Sequence, residues 1–214
     1  MGHAGAGRAG KFITFEGPEG SGKSTHARLI VDFLKQKKIP VVFVREPGGT
    51  KLGERIRKLL LDTRFKRVFP ETELFLYMAA RSQLMQECIA PRLTKGVHVI
   101  CDRFLDATIA YQGYGGGIDI RHIRRMGRLA TMAIRPDLTL LLDLPVQEGL
   151  RRAGIKGRAD RMEQKSLLYH RRVRQGYRAI AEREPRRVKV ISTRGSVGAV
   201  QDRLRGLVLD VITR

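Results

Sequence analysis

Residues 11–25 read KFITFEGPEGSGKST, and this stretch decides the fold. Its opening part, Lys11 to Glu16, is a nearly unbroken apolar and β-branched run, the composition of a strand covered on both faces. The residues directly after it, Gly17-Pro18-Glu19-Gly20-Ser21-Gly22-Lys23-Ser24, fit the pattern G-x-x-x-x-G-K-S. A strand, a glycine-rich turn and a helix start, in that order, aim backbone N–H groups and the positive end of a helix dipole at phosphate oxygens. The stretch reads as the phosphate-binding turn of a nucleoside triphosphate site. Residues Gly17 through Thr25 surround the phosphates, Lys23 reaches the β- and γ-phosphates, and Ser24 offers a hydroxyl to Mg2+.

Four more runs of the same character come later in the chain, at 41–45 (VVFVR), 97–101 (VHVIC), 138–143 (LTLLLD) and 188–192 (VKVIS). Longer helical patterns lie between them. The clearest is the last, where Val197, Val200, Leu204, Leu207, Val208 and Val211 recur on one face. Strands alternating with helices predict βαβ crossovers and an α/β fold, a five-stranded parallel sheet with helices on both faces. No internal repeat or long linker divides residues 11–214, which are expected to form a single domain. The Gly- and Ala-rich residues 1–10 read as a disordered tail without the apolar segment of a secretion signal. Two glycine-rich stretches, 113–119 (GYGGGID) and 154–160 (GIKGRAD), read as mobile loops over a site.

Composition narrows the function. The chain has 214 residues, 42% hydrophobic and 29% charged, which is globular composition. No apolar run approaches the ~20 residues that span a bilayer, so a membrane protein is not expected. Cys88 and Cys101 are too few for a disulfide framework or a zinc site, and fit a reducing, cytoplasmic setting. His3, His26, His98, His122 and His170 are scattered without metal-ligand spacing. The net charge of +21 favours anionic partners without choosing among them. Much of it lies in residues 151–187, with thirteen Lys or Arg against four Asp or Glu. The arginines of that helix, Arg171, Arg172, Arg174, Arg178 and Arg183, read as a solvated basic face, and no nucleic-acid partner is expected.

A metal-side carboxylate belongs at the end of a strand beside the phosphate turn. Asp102 and Asp143 both qualify; Asp102 is favoured because Arg103 comes next, bringing an anion-binding guanidinium to the same place. A guanine-reading Asn-Lys-x-Asp and a Leu-Ser-Gly-Gly signature are both absent, which argues against a GTPase switch and an ABC-type motor. The remaining motifs describe a second anionic ligand. They are Arg45-Glu46-Pro47-Gly48-Gly49-Thr50, the helix ELFLYMAAR with Phe75 and Arg81, Asp102-Arg103-Phe104 leading to Thr108 and Tyr111-Gln112-Gly113, and the basic segment from Arg151 to Arg161.

Together these pieces, FEGPEGSGKST, REPGGT, ELFLYMAAR, DRFLDATIAYQGYG and GRADRME, resemble the thymidylate kinases over residues 11–212. The resemblance implies transfer of the γ-phosphoryl group of ATP to dTMP, giving dTDP and ADP, in the supply of dTTP. It implies that Phe75 stacks on thymine, that Arg81 bonds the pyrimidine edge, that Thr108 helps read the base, and that Gln112 supports the base or the loop. Tyr111 would fill the space beneath the sugar's 2′ carbon, Glu19 would contact the 3′-hydroxyl, and Arg45 and Arg103 would bind the dTMP phosphate. Ser24 and Asp102 would hold Mg2+. Some members carry a catalytic arginine in the phosphate turn, others in a flexible lid; here Gly20 occupies the first position, so the lid at about 151–161 must supply the charge. Arg152, Lys156 and Arg158 all qualify, and Arg161 would anchor the lid's base; Gly154 and Lys156 depart from the family's run of lid arginines. The resemblance also implies a homodimer through residues 71–93 and 119–133. A kinase for another monophosphate, dGMP, CMP or UMP, is the rival reading, and dUMP would satisfy most of the same contacts.

Overall fold

The computed structural model describes residues 9–65, 67–154 and 160–213. Five parallel strands form one sheet: β1 (Phe12–Glu16), β2 (Val41–Arg45), β3 (His98–Asp102), β4 (Leu138–Asp143) and β5 (Val188–Ser192), in the order β2-β3-β1-β4-β5. The five apolar runs of the sequence are these strands, with β1 starting one residue later and β3 displaced by one residue at both ends. β1 and β3, with neighbours on both sides, are buried at every residue. The edge strands β2 and β5 are only partly buried.

The helices are α1 (Lys23–Gln36), α2 (Lys51–Leu61), α3 (Pro70–Leu84), α4 (Ala90–Thr94), α5 (Leu105–Thr108), α6 (Ile120–Ala130), α7 (Val146–Gly154), α8 (Leu167–Arg183) and α9 (Val197–Ile212). Six of these starts have a local cause. Gly22 turns left-handed at φ 86 to release α1. Side chains of Thr50, Asp119, Ser166 and Ser196 accept backbone N–H groups at the starts of α2, α6, α8 and α9. Pro70 opens α3, where a missing N–H costs nothing.

Strand alternation divides the core. Leu138, Leu140 and Leu142 of β4 join Ile13 and Phe15 of β1 against Ile30 and Leu34 of α1 and Leu204 and Val208 of α9. The opposite face of the sheet turns Leu141 toward Val173, Tyr177 and Ile180 of α8. Thr14 and Thr139 also face that side and satisfy each other, hydroxyl to hydroxyl at 2.8 Å. The same alternation sends Glu16, the last residue of β1, to the Tyr177 hydroxyl.

One expected loop is partly helical. Residues Ile109–Gly115 form a wide turn with i→i+5 bonding, such as Gly116 N–H to Tyr111 C=O at 2.8 Å. Its glycines serve packing: a Cβ on Gly115 would lie 2.8 Å from the Tyr169 ring of α8. The other expected loop begins as the last turn of α7, and residues 155–159 lie outside the described residues.

Two glycines let α7 rest directly on the phosphate turn. A Cβ on Gly20 would lie 2.0 Å from the Gly149 carbonyl oxygen, and one on Gly149 would lie 2.2 Å from that of Glu19. Gly149→Ala is therefore expected to destabilise the protein by about 1–3 kcal/mol through backbone overpacking. Gly206→Ala, in the open on α9, is expected to stabilise by roughly 0.5–1 kcal/mol. Urea unfolding of both variants beside the parent measures the two opposite signs.

Candidate active site

The carboxyl ends of β1, β2 and β3 open into a cleft of about 300 Å3. The phosphate turn supplies Glu19, Gly20, Gly22, Lys23, Ser24 and Thr25 to its wall, while Gly17, Pro18 and Ser21 stand behind them. Lys23 Nζ donates to the Pro18 carbonyl at 2.6 Å and to Ser21 Oγ at 3.3 Å. Burial, helped by the nearby Arg103 charge, brings its ammonium down to about 8, against the pull of Glu19 and Asp102.

Ser24 Oγ donates to Asp102 Oδ2 at 2.5 Å, so the hydroxyl after the lysine meets the carboxylate ending β3. Asp143 is not part of this arrangement: Arg174 of α8 holds it with two bonds, 2.7 and 2.8 Å. Among the described residues no group of three or more His, Cys, Asp or Glu is placed to hold a metal ion. Two hard oxygens beside a phosphate turn suit Mg2+, which takes few protein ligands and keeps phosphate and water oxygens for the rest. The residues fit that ion.

Arg103 is the meeting point of the cleft. It leaves β3 in a left-handed conformation, φ 71. Its Nη2 donates to both Glu19 oxygens, at 2.9 and 3.0 Å, and to the Tyr111 hydroxyl at 3.0 Å. Its Nη1 reaches the Gly17 carbonyl and the Tyr177 hydroxyl, each at 3.2 Å. Burial alone would raise the Glu19 carboxyl, but the Arg103 and Lys23 charges outweigh it and hold it at about 2. Glu16, behind, goes the other way: burial, with Asp106 adding, raises it to about 8, and the Arg103 charge offsets only part of that rise.

The opposite wall comes from α3 and the 109–115 turn. Arg81 is 1% exposed. It donates through Nε to Glu46 at 2.8 Å, and through Nη2 to the Phe104 carbonyl and Thr108 Oγ1, both at 3.0 Å. Burial raises the Glu46 carboxyl, and Arg81 opposes that rise. Gln112 Nε2 donates to Glu73 at 3.3 Å, and Glu73 also receives Arg161 Nη1 at 2.5 Å. Arg161 Nε donates to the Leu60 carbonyl as well, so the chain re-enters after residue 159 tied to α2 and α3. Arg45 lines the cleft with its guanidinium on Glu54 at 3.0 Å.

Two expected placements differ. Phe75 does not line the cleft and is 61% exposed; Tyr77 takes the expected position. Helix geometry explains it. Phe75 is six residues before Arg81 and Tyr77 is four before it, and at about 100° per residue only the latter shares Arg81's face. Arg152 points its Nη2 at Glu148 of its own helix, 2.6 Å away, while neighbouring Ala153 lines the cleft. Lys156 and Arg158 lie outside the described residues. The sequence reading missed Arg28, Arg57, Asp160 and Glu163, which also line the cleft. The i, i+4 step to Arg81 could have found Tyr77; Arg57 sits in a helix too uniformly basic to single out.

A family model described as thymidylate kinase matches residues 15–204. A thymidylate kinase of Roseiflexus castenholzii is 42% identical over 210 residues, 92% of each chain. Another, of Desulfovibrio desulfuricans, is 49% identical over 187 residues, 84% of this chain and 86% of its own. The crystal structure of thymidylate kinase from Ehrlichia chaffeensis superposes with a TM-score of 0.76 at 34% identity, covering 94% of this chain and 98% of that one.

The low-lying Lys23 ammonium predicts that a polyphosphate bound against it would bind in a pH-dependent way. A polyphosphate against Lys23 favours the charged form, so binding raises its pKa and takes up a proton above about 8. Affinity for ADP, whose own phosphate is ionised by then, is expected to fall as pH rises through about 8. Calorimetric titration across that range measures it, and Lys23→Arg should remove the inflection.

Proposed function

The chain belongs to the thymidylate kinase family, and we propose from that premise how its cleft seats two nucleotides. The enzyme is an ATP-dependent phosphotransferase that moves the γ-phosphoryl group of ATP to dTMP, yielding ADP and dTDP on the way to dTTP. The observation that carries the site assignment is the meeting of Lys23 and Arg103 across Glu19. One cation belongs to a phosphate turn, the other to the end of an adjacent strand, and both serve a single cleft.

ATP lies on residues Gly17 to Thr25, with Lys23 at its terminal phosphates. Mg2+ held by Ser24 and Asp102 would neutralise phosphate charge. Arg45 and Arg103 grip the dTMP phosphate, each guanidinium offering a fork of donors. Arg103 exchanges part of its Glu19 pairing for that phosphate, which frees Glu19 for the sugar's 3′-hydroxyl. Tyr77, in place of Phe75, presents the aromatic face to thymine. Arg81, Thr108 and Gln112 read the base edge, and Tyr111 crowds the 2′ position.

Chemistry then needs alignment and charge compensation more than covalent help. A dTMP phosphate oxygen attacks the γ-phosphorus, the bond to the β–γ bridging oxygen breaks, and ADP leaves with that oxygen. An ionised phosphate needs no general base. The cation at the transferring group comes from the lid, by Arg152, Lys156 or Arg158, because the Gly20–Gly149 contact leaves no room for a side chain in the turn.

The freed Phe75 supports a homodimer. α3 and α6 pack together, with Phe75 61% and Leu129 84% exposed on them. Such apolar side chains in solvent mark an interaction surface. Cys88 and Cys101 are free thiols, and no described helix is long and apolar enough to cross a membrane; both suit a cytoplasmic enzyme.

Lys23→Ala is expected to abolish turnover, and Arg103→Ala to raise the KM for dTMP at least tenfold with little change for ATP. A coupled ADP-release assay over dTMP, dUMP, CMP, UMP and dGMP measures both variants and the base preference. Preference for CMP in the parent would overturn the assignment of the base pocket.

A further inference from the structure

Arg103 is anchored on one side by a group that the phosphate-binding assignment does not use. Tyr177, in the middle of α8, is 2% exposed. Its hydroxyl lies between Arg103 Nη1, 3.2 Å away, and Glu16 Oε2, 2.9 Å away. The other oxygen of Glu16 accepts the Phe104 backbone N–H at 2.7 Å, so Glu16 is fixed to the residue right after Arg103. The phenol ring itself is wedged among core side chains and meets the Tyr111 ring edge-on, centroids 6.2 Å apart.

The remaining partners of Arg103 are poor anchors during a reaction. Gly17 belongs to the turn that must wrap the other nucleotide, and Glu19 together with Tyr111 faces the cleft. The Tyr177–Glu16 pair instead sits between a central strand and a core helix. A guanidinium is planar, so a phosphate taking two of its N–H groups in a fork is bound well only when the plane is set in advance. We propose that Tyr177 is a positioning residue for phosphoryl transfer: its hydroxyl, braced by Glu16, sets the plane of Arg103 so that the guanidinium is presented ready-made to the acceptor phosphate. The inference rests on the assignment of Arg103 to that phosphate.

Tyr177→Phe keeps the ring and removes only the hydroxyl. It is expected to raise the KM for dTMP about fivefold to twentyfold and to leave the KM for ATP within twofold. Calorimetric dTMP binding to Tyr177→Phe, Arg103→Ala and the double variant closes a cycle. Since Tyr177 acts through Arg103, its removal is expected to change affinity less than twofold once Arg103 is gone. A dTMP KM within twofold of the parent, an equal rise in both KM values, or the same loss in the Arg103→Ala background would overturn the proposal. Arg103→Ala binding dTMP like the parent would instead overturn the assignment of Arg103, a separate result. Should Tyr177→Phe not fold, 3,5-difluorotyrosine at position 177 keeps the hydroxyl but weakens it as an acceptor. That protein should show a raised KM for dTMP alone, and an unchanged value would again refute the role.

Discussion

The ion pair between Arg103 and Glu19 is the joint on which the molecule's working end depends. It links the end of β3 to the phosphate turn, and the other arms of the same guanidinium reach the 109–115 turn and α8. Neither charge could be left alone there, since a partly buried ion without its partner costs several kcal/mol. The pair therefore keeps four separate chain segments in register. Because the arginine has a left-handed backbone, its side chain turns inward over the sheet edge, where an ordinary strand continuation would carry it past the turn.

The acids are unevenly placed. Seven of the chain's 21 acidic residues, Glu16, Glu19, Glu46, Glu73, Asp102, Asp106 and Asp143, are spent at or near the cleft and core. Five of them take an arginine partner: Arg103, Arg81, Arg161, Arg187 and Arg174. The ratio of basic to acidic groups outside is consequently steeper than in the whole sequence.

The sheet was legible because both-sided burial writes itself into a strand as an unbroken apolar run, and βαβ connectivity allows few arrangements of five such runs. The phosphate turn was legible because its geometry demands glycines at fixed spacing. What stayed hidden depends on distance in space. Asp143 stayed a second candidate beside the favoured Asp102, and only the fold shows Arg174, 31 residues on, holding it. Phe75 and Tyr77 differ only in angular position on α3, and two residues of helix turn one from wall to surface. The glycines at 113 and 115 advertise flexibility in sequence, yet they exist to admit side chains of α6 and α8. Tyr177 gave no signal at all, being one aromatic among the apolar positions of an amphipathic helix.

Gly20 and Gly149 touch main chain to main chain, with no side chain as intermediary. A displacement of the turn toward Gly149 would meet the main chain of α7 at once. The contact also restrains drift: neither position can accept a larger residue unless the other backbone retreats, so through descent the two should change together or not at all.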